Sequence, residues 1–290
     1  MASSADAQWL DWYQQFDHEQ GANKRKEWYS DSTQAYRWAR PRYPDALVEK
    51  VIGQAHLEAQ SKLFEIGCGP GIATEAFARE GISIVAVEPS EAACKLARRA
   101  TDQYANVKVI NTTFEQYVLE SPFAQQFDVV LAATSFHWVS AEVACAQSAA
   151  ALKPTGSLIL LWATPPQPSE EISDCLQPIY ERYGLSELSE GQRRSHTYYQ
   201  TNFEHFANTI NNSGFFQPSN VSIEEHHTTY SIERYLALLT TLSPYIALEE
   251  ETRESLLVEL GEKLSEKLET GALKTTHWFG SQVAPVKTST

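Results

Sequence analysis

The stretch 64-FEIGCGPGIATEAFAREGISIVAVEPS-90 constrains this chain more than any other part of it. Three glycines, Gly67, Gly69 and Gly71, fall within five positions between an apolar run and a helical pattern. A glycine-rich turn between a buried strand and a helix exposes backbone N–H groups at the helix N-terminus and lets a ligand approach where a side chain would collide. That describes a nucleotide-type site. The spacing departs from the dinucleotide fingerprint G-x-G-x-x-G, because Ile72 stands where the third glycine would fall. Glu88 closes the next apolar run, 82-ISIVAV-87, where a carboxylate can accept hydrogen bonds from a ribose diol.

From Lys62 onward, short apolar runs alternate with helical spacings, which predicts parallel strands joined by crossover helices. Strands are predicted at 63-LFEI-66, 82-ISIVAV-87, 107-VKVI-110, 127-FDVVLAA-133 and 156-GSLILLWA-163, with helices at 72–80, 90–100 and 141–152. The proline-rich break 164-TPPQPS-169 ends this regular section. Beyond it, helices are predicted near 170–184, 202–212, 231–245 and 249–269, and strands at 221–230 and roughly 272–281. The expected division is an N-terminal lid over 1–60, a cofactor-binding core over 61–163, and a C-terminal half over 164–290 that completes the sheet and caps the substrate.

Composition limits the function classes. With 42% apolar residues among 290, the chain can bury a large core without staples. Four scattered cysteines form no C-x-x-C pair and fit reduced thiols in a cytoplasmic setting. The N-terminus has no basic segment followed by an apolar core, so no signal peptide is expected, and 158-LILLWA-163 is far too short to span a membrane. A net charge of −14, with basic residues gathered only at 24-KRK-26, Arg98-Arg99 and Arg193-Arg194, argues against nucleic acid as a partner. The histidines, 226-HH-227 included, have no carboxylate or thiolate at ligand spacing, so no metal is expected.

The motifs 65-EIGCGPG-71, 127-FDVVLAATSFHW-138 and 152-LKPTGSLIL-160, with the acid at Glu88, resemble the class I S-adenosylmethionine-dependent methyltransferases over roughly residues 60–163. The flanks 36-YRWARPRYP-44 and 230-YSIERYLALLTTLS-243 and the pair His137-Trp138 resemble a narrower small-molecule group, with trans-aconitate and juvenile-hormone-acid methyltransferases as its relatives. The resemblance implies a doubly wound, seven-stranded, mostly parallel Rossmann-like sheet with helical lid segments. It implies S-adenosylmethionine as cofactor, S-adenosylhomocysteine as product and a small-molecule substrate, without fixing which; the net charge and His137 lead to the expectation of a carboxylate or hydroxyl compound, methylated on oxygen ahead of nitrogen. Glu65, Gly67, Cys68, Gly69 and Gly71 would hold the methionine end, while Glu88 and Pro89 would meet the ribose and adenine. Ala132 and Ala133 would offer backbone atoms to the amino group. Where the family often has an acid for the adenine amino group, this chain reads 111-NTTFE-115, leaving Thr113 to substitute and Phe114 to cover the ring.

Several readings stay open at this level. Glu65 could only order the loop, and Glu88 could be a helix-leading acid before Ser90. Arg40 either pairs with a cofactor or substrate carboxylate or decorates a rigid proline-flanked loop. Trp138 is a core candidate as well as a catalytic one, whereas His137 is a candidate base or anion-positioning group. Residues 28–44 are expected to close over the cofactor as a lid. The rival functions are a catalytically silent S-adenosylmethionine-binding protein and an NAD-dependent oxidoreductase, and the assembly is a monomer or homodimer.

Overall fold

The computed structural model describes residues 32–120, 123–191 and 194–287. The readings on 24-KRK-26, on residues 28–31 of the lid and on Arg193 lie outside the described residues. Eight strands appear among those described: β1 (Lys62–Ile66), β2 (Ser83–Glu88), β3 (Val107–Asn111), β4 (Phe127–Ala133), β5 (Leu152–Ala163), β6 (Gln167–Pro168), β7 (Ser222–Ser231) and β8 (Ala272–Pro285). The helices are α1 (Thr33–Ala39), α2 (Asp45–Gln54), α3 (Ile72–Arg79), α4 (Glu91–Ala100), α5 (Phe114–Glu120), α6 (Ala141–Ala151), α7 (Glu170–Arg182), α8 (Ser186–Gly191), α9 (His196–Asn212), α10 (Ile232–Leu239), α11 (Ser243–Ile246) and α12 (Glu250–Lys267).

All the strands join one α/β sheet in the order β3-β2-β1-β4-β5-β8, with β6 and β7 both against β8. Pairing is parallel from β3 to β5 and antiparallel around β8. The chain winds outward from β1 to β3, then returns to lay β4 on the other side of β1. A sheet that reverses direction in this way leaves a crevice beyond the strand C-termini at the reversal, where such folds bind ligands.

Alternation along the strands sorts the core into two layers. Leu63, Val129, Leu131, Ile159 and Leu161 face one side with Leu47, Val51 and Phe77, while Phe64, Val130, Ala132, Leu158 and Leu160 face the other with Phe136, Phe203 and Phe206. A third cluster lies in the C-terminal helices, where Leu176, Tyr180, Tyr235, Leu238, Leu256 and Leu260 pack together. The α9 helix, part of the second layer, lies close on the sheet: a Cβ at Gly280 of β8 would stand 2.6 Å from its Phe203 ring.

Candidate active site

The crevice at the reversal opens into a cavity of about 860 Å³, within the range of small-molecule and cofactor sites. Its floor is the turn after β1. Gly67, Gly69 and Gly71 have φ of +64°, +53° and +83°, the left-handed region that favours glycine. A Cβ at Gly69 would meet nothing within 4 Å, so that backbone lies open to the cavity. Gly71 has a different role from the one its motif implies. It caps α3, a Cβ there would stand 3.0 Å from Ala97 Cα of α4, and it is not on the cavity wall.

Two carboxylates flank the turn. Glu88, at the end of β2, accepts from the Gly69 N–H at 2.9 Å and from the Ser90 N–H at 2.8 Å. Burial pushes its pKa up against those donors. Glu65 is 1% exposed. Its Oε2 accepts from the Thr74 hydroxyl at 2.7 Å, while its Oε1 is buried without a hydrogen-bond partner. Burial pushes the Glu65 carboxyl up to about 7, opposed by the Thr74 bond and reinforced by the charge of Glu88. Cys68 is buried beside them, and burial raises its thiol well above the usual range, so it is a packing residue rather than a nucleophile.

Beyond β4 the wall is Ala133, Thr134 and Ser135. The Ala132 side chain is fully buried on the opposite layer and does not reach the cavity, as the alternation of a strand requires. Thr134, which sequence reasoning missed, has φ of +55°, a strained conformation for a β-branched residue. It is held there by its N–H donating to Leu161 O at 2.7 Å and by the Tyr43 hydroxyl 2.9 Å from its Oγ1. Along the side wall, Thr113 accepts from the Gln116 N–H at 3.2 Å. Phe114 is 3% exposed and packs 5.8 Å from Phe64 in the core, so its ring serves the core more than an adenine face. Glu115 stands on the cavity wall in this segment and was also missed.

The opposite wall is aromatic. His137 and Trp138 lie in a short 3-10 turn after β4, and both line the cavity. The imidazole stacks on Trp162 at 5.6 Å and lies 5.2 Å from Trp138, while Trp162 stacks on Phe206 at 4.5 Å. One part of His137 stays accessible, yet burial among these rings pushes its pKa down to about 3. Arg40 lines the cavity too, but its Nε and Nη2 donate to Thr241 Oγ1 and Thr241 O, each at 2.8 Å, and its guanidinium lies 4.7 Å over the Tyr36 ring. Two of its five N–H donors are therefore committed within the protein rather than directed at a ligand carboxylate.

A glycine-turn floor, an acid ending β2 and a crevice at the point where a parallel sheet reverses define a nucleoside-cofactor fold of the class I methyltransferase type. Residues 64–160 match the family model described as "Methyltransferase domain". Over this third of the chain the sequence is similar to S-adenosylmethionine-dependent methyltransferases, which favours methyl transfer over the NAD reading. The chain is 27% identical over 154 residues to a probable S-adenosylmethionine-dependent methyltransferase of Saccharomyces cerevisiae, covering 52% of this chain and 51% of that protein. It is 29% identical over 132 residues to the malonyl-[acyl-carrier protein] O-methyltransferase of Halalkalibacterium halodurans, covering 44% and 48% of the two chains. The chain thus spans about half the length of the curated relatives it matches. A solved structure described as a type II methyltransferase from Anaeromyxobacter dehalogenans shares the fold, with a TM-score of 0.60 at 20% identity over 86% of this chain and 99% of that one.

The cofactor is S-adenosylmethionine, and the residues present fit it. The partnerless Glu65 oxygen is the group that a cationic amino group would satisfy, and the open space over Gly69 admits its close approach. Among the described residues no helix is long and apolar enough to cross a membrane, and no cluster of His, Cys, Asp and Glu is arranged to hold a metal.

Proposed function

We propose that this chain transfers the methyl group of S-adenosylmethionine to an oxygen of a small-molecule acceptor, with residues 61–163 holding the cofactor and the helices after residue 169 walling in the acceptor. The observation that carries the reading is Glu65: a buried carboxylate with one oxygen unsatisfied, on the floor of a cavity large enough for two small molecules. When bound, S-adenosylmethionine supplies a sulfonium methyl open to direct displacement by an in-line nucleophile.

The chain contributes position and dryness. Glu65 and the Gly67–Gly69 backbone hold the amino acid end. Glu88 remains the ribose anchor in this reading, because each of its oxygens has a further lone pair beyond the one used by Gly69 or Ser90. Glu115, on the side wall, supplies an acid for the adenine amino group, the role for which Thr113 was expected to substitute. The Trp162, Trp138 and His137 rings exclude water from the reacting atoms, and orientation of this kind can supply about 7–11 kcal/mol of the barrier.

Oxygen is favoured over nitrogen by His137. An imidazole with a pKa near 3 is neutral at neutral pH and a weak proton acceptor. The site therefore suits an acceptor that arrives already ionised better than an ammonium that must lose a proton. The H. halodurans relative, an O-methyltransferase, points the same way.

The test is purified protein with methyl-labelled S-adenosylmethionine and pools of small acids, phenols and amines, alongside calorimetry with S-adenosylhomocysteine. Label in an acid or phenol is expected, and label in amines alone would overturn the oxygen assignment. Failure of the wild-type protein to bind S-adenosylhomocysteine would overturn the whole reading. His137→Gln is expected to lower turnover by less than the roughly 10²–10⁴-fold loss that removal of a general base brings.

A further inference from the structure

Two buried side-chain amides line the cavity, and the protein treats them differently. Gln167 of β6 is 6% exposed and committed at both ends: its Nε2 donates to the Tyr199 hydroxyl at 3.1 Å and to Pro165 O at 3.2 Å, and its Oε1 accepts from the Arg194 N–H at 3.2 Å. Asn202 of α9 is 2% exposed, and its Nδ2 has no hydrogen-bond partner among the described residues. An amide in that state has given up its hydration for nothing, which is rare in native proteins and calls for a reason.

Packing supplies none. The buried face of α9 is otherwise aromatic and aliphatic, with Tyr199, Phe203, Phe206, Ala207 and Ile210 on it. Phe203 and Phe206 stack on Trp162 at 6.1 and 4.5 Å, and Tyr199 lies 6.4 Å from Phe203. A leucine at position 202 would fit such a face and leave no donor unspent.

The same wall opposes charge of either sign. Burial pushes the His137 imidazole, stacked on Trp162, down to about 3, and it raises the Tyr199 phenol so that its proton stays in place. Arg194, the cation on this side, is half-buried, with its guanidinium 4.6 Å over the Tyr198 ring. A group that satisfies Asn202 must therefore bring a lone pair without bringing a charge, and a carbonyl oxygen does both. We infer that the acceptor carries an uncharged carbonyl group, distinct from the oxygen that takes the methyl, and that Asn202 selects for it by donating its amide hydrogen to the carbonyl oxygen. This rests on the methyl-transfer reading of the same cavity.

The probes are acetophenone and α-methylstyrene, which differ only in the exchange of C=O for C=CH2. Both are titrated into the full chain by ligand-observed NMR, with and without saturating S-adenosylhomocysteine. The ratio of their affinities cancels general hydrophobic binding, and it is expected to shift against acetophenone by roughly tenfold in Asn202→Leu. Asn202→Asp, which keeps the shape and removes the donor, should shift it the same way. A ratio unchanged in both variants, or no acetophenone binding up to its solubility limit, would overturn the carbonyl site. So would benzoate binding the wild-type protein more tightly than acetophenone. Loss of S-adenosylhomocysteine binding in Asn202→Leu would assign the amide to the cofactor and overturn the proposal as well. An Asn202-dependent ratio in a wild-type protein that binds no S-adenosylhomocysteine would sustain the carbonyl site and sink methyl transfer; the reverse would sink the carbonyl site alone.

Discussion

With Glu65 placed under the cofactor as proposed, cofactor binding becomes a proton-linked event. The Glu65 pKa of about 7 lies above the ordinary carboxyl value, so the free protein holds a proton there below neutrality. A cationic amino group beside it favours the charged form, so binding expels that proton. The sign follows: affinity for S-adenosylhomocysteine rises with pH up to about 7 and levels off above it, by up to about tenfold per pH unit on the rising limb. Calorimetry from pH 5.5 to 8 checks this, with Glu65→Gln expected to be flat. A flat wild-type curve would remove Glu65 from the amino group's site. The same burial also opposes folding: the penalty for an ionised Glu65 is absent at acid pH and grows as pH rises from the unfolded value towards 7. At this scale the floor of the site was legible because its causes are local, a left-handed turn and two acids within 24 residues of sequence. Asn202, Tyr199 and Thr134 were not legible. Their meaning depends on partners or walls from other elements, such as Gln167, which lies 32 residues from Tyr199.

Among the elements, the largest departure from expectation is the single helix read over 231–245. It breaks into α10 and α11, with Pro244 in the first turn of the second, where proline's missing N–H costs nothing. The break leaves carbonyls open at the end of α10, and Arg40 closes one of them by donating to Thr241 O. The partners lie 201 residues apart, which is why this contact of Arg40 was not legible in the sequence. From the same segment Arg37 donates to Pro70 O at 3.2 Å in the glycine turn, and Arg37 and Arg42 both pair with Glu75 of α3. The α1 segment is therefore tied to the cofactor floor at one side and to the C-terminal helices at the other. Arg40→Ala is expected to release the second tie, costing about 1 kcal/mol for partly exposed bonds and speeding amide exchange in α1 roughly fivefold. Hydrogen exchange of residues 33–39 measures it, and unchanged rates would mean that the arginine holds nothing.

In the whole molecule, the regular section from β1 to β5 was readable from alternating periodicities, since its strands pair with a sequence neighbour everywhere except at the β3–β4 crossover. The C-terminal half was less so, because its helices face one another and the cavity rather than a sheet of fixed pitch. The last strand ran longer than expected, to Pro285, and it pairs with β5, β6 and β7 together. A chain ending after residue 271 should therefore lose the sheet's whole antiparallel side, bare the β5 edge and accumulate in the insoluble fraction. Soluble truncated protein with a cooperative unfolding transition would refute this.

That arrangement also sets a timetable for birth of the molecule. Ala163 finds its register partner in Phe279, more than a hundred residues later in the chain. At ~5–20 residues per second, a nascent chain waits on the order of ten seconds between finishing β5 and making the strand that covers it. Through that interval the run 158-LILLWA-163 is an unpaired apolar edge on the growing polypeptide, and so the segment most in need of a chaperone's cover before the chain leaves the ribosome.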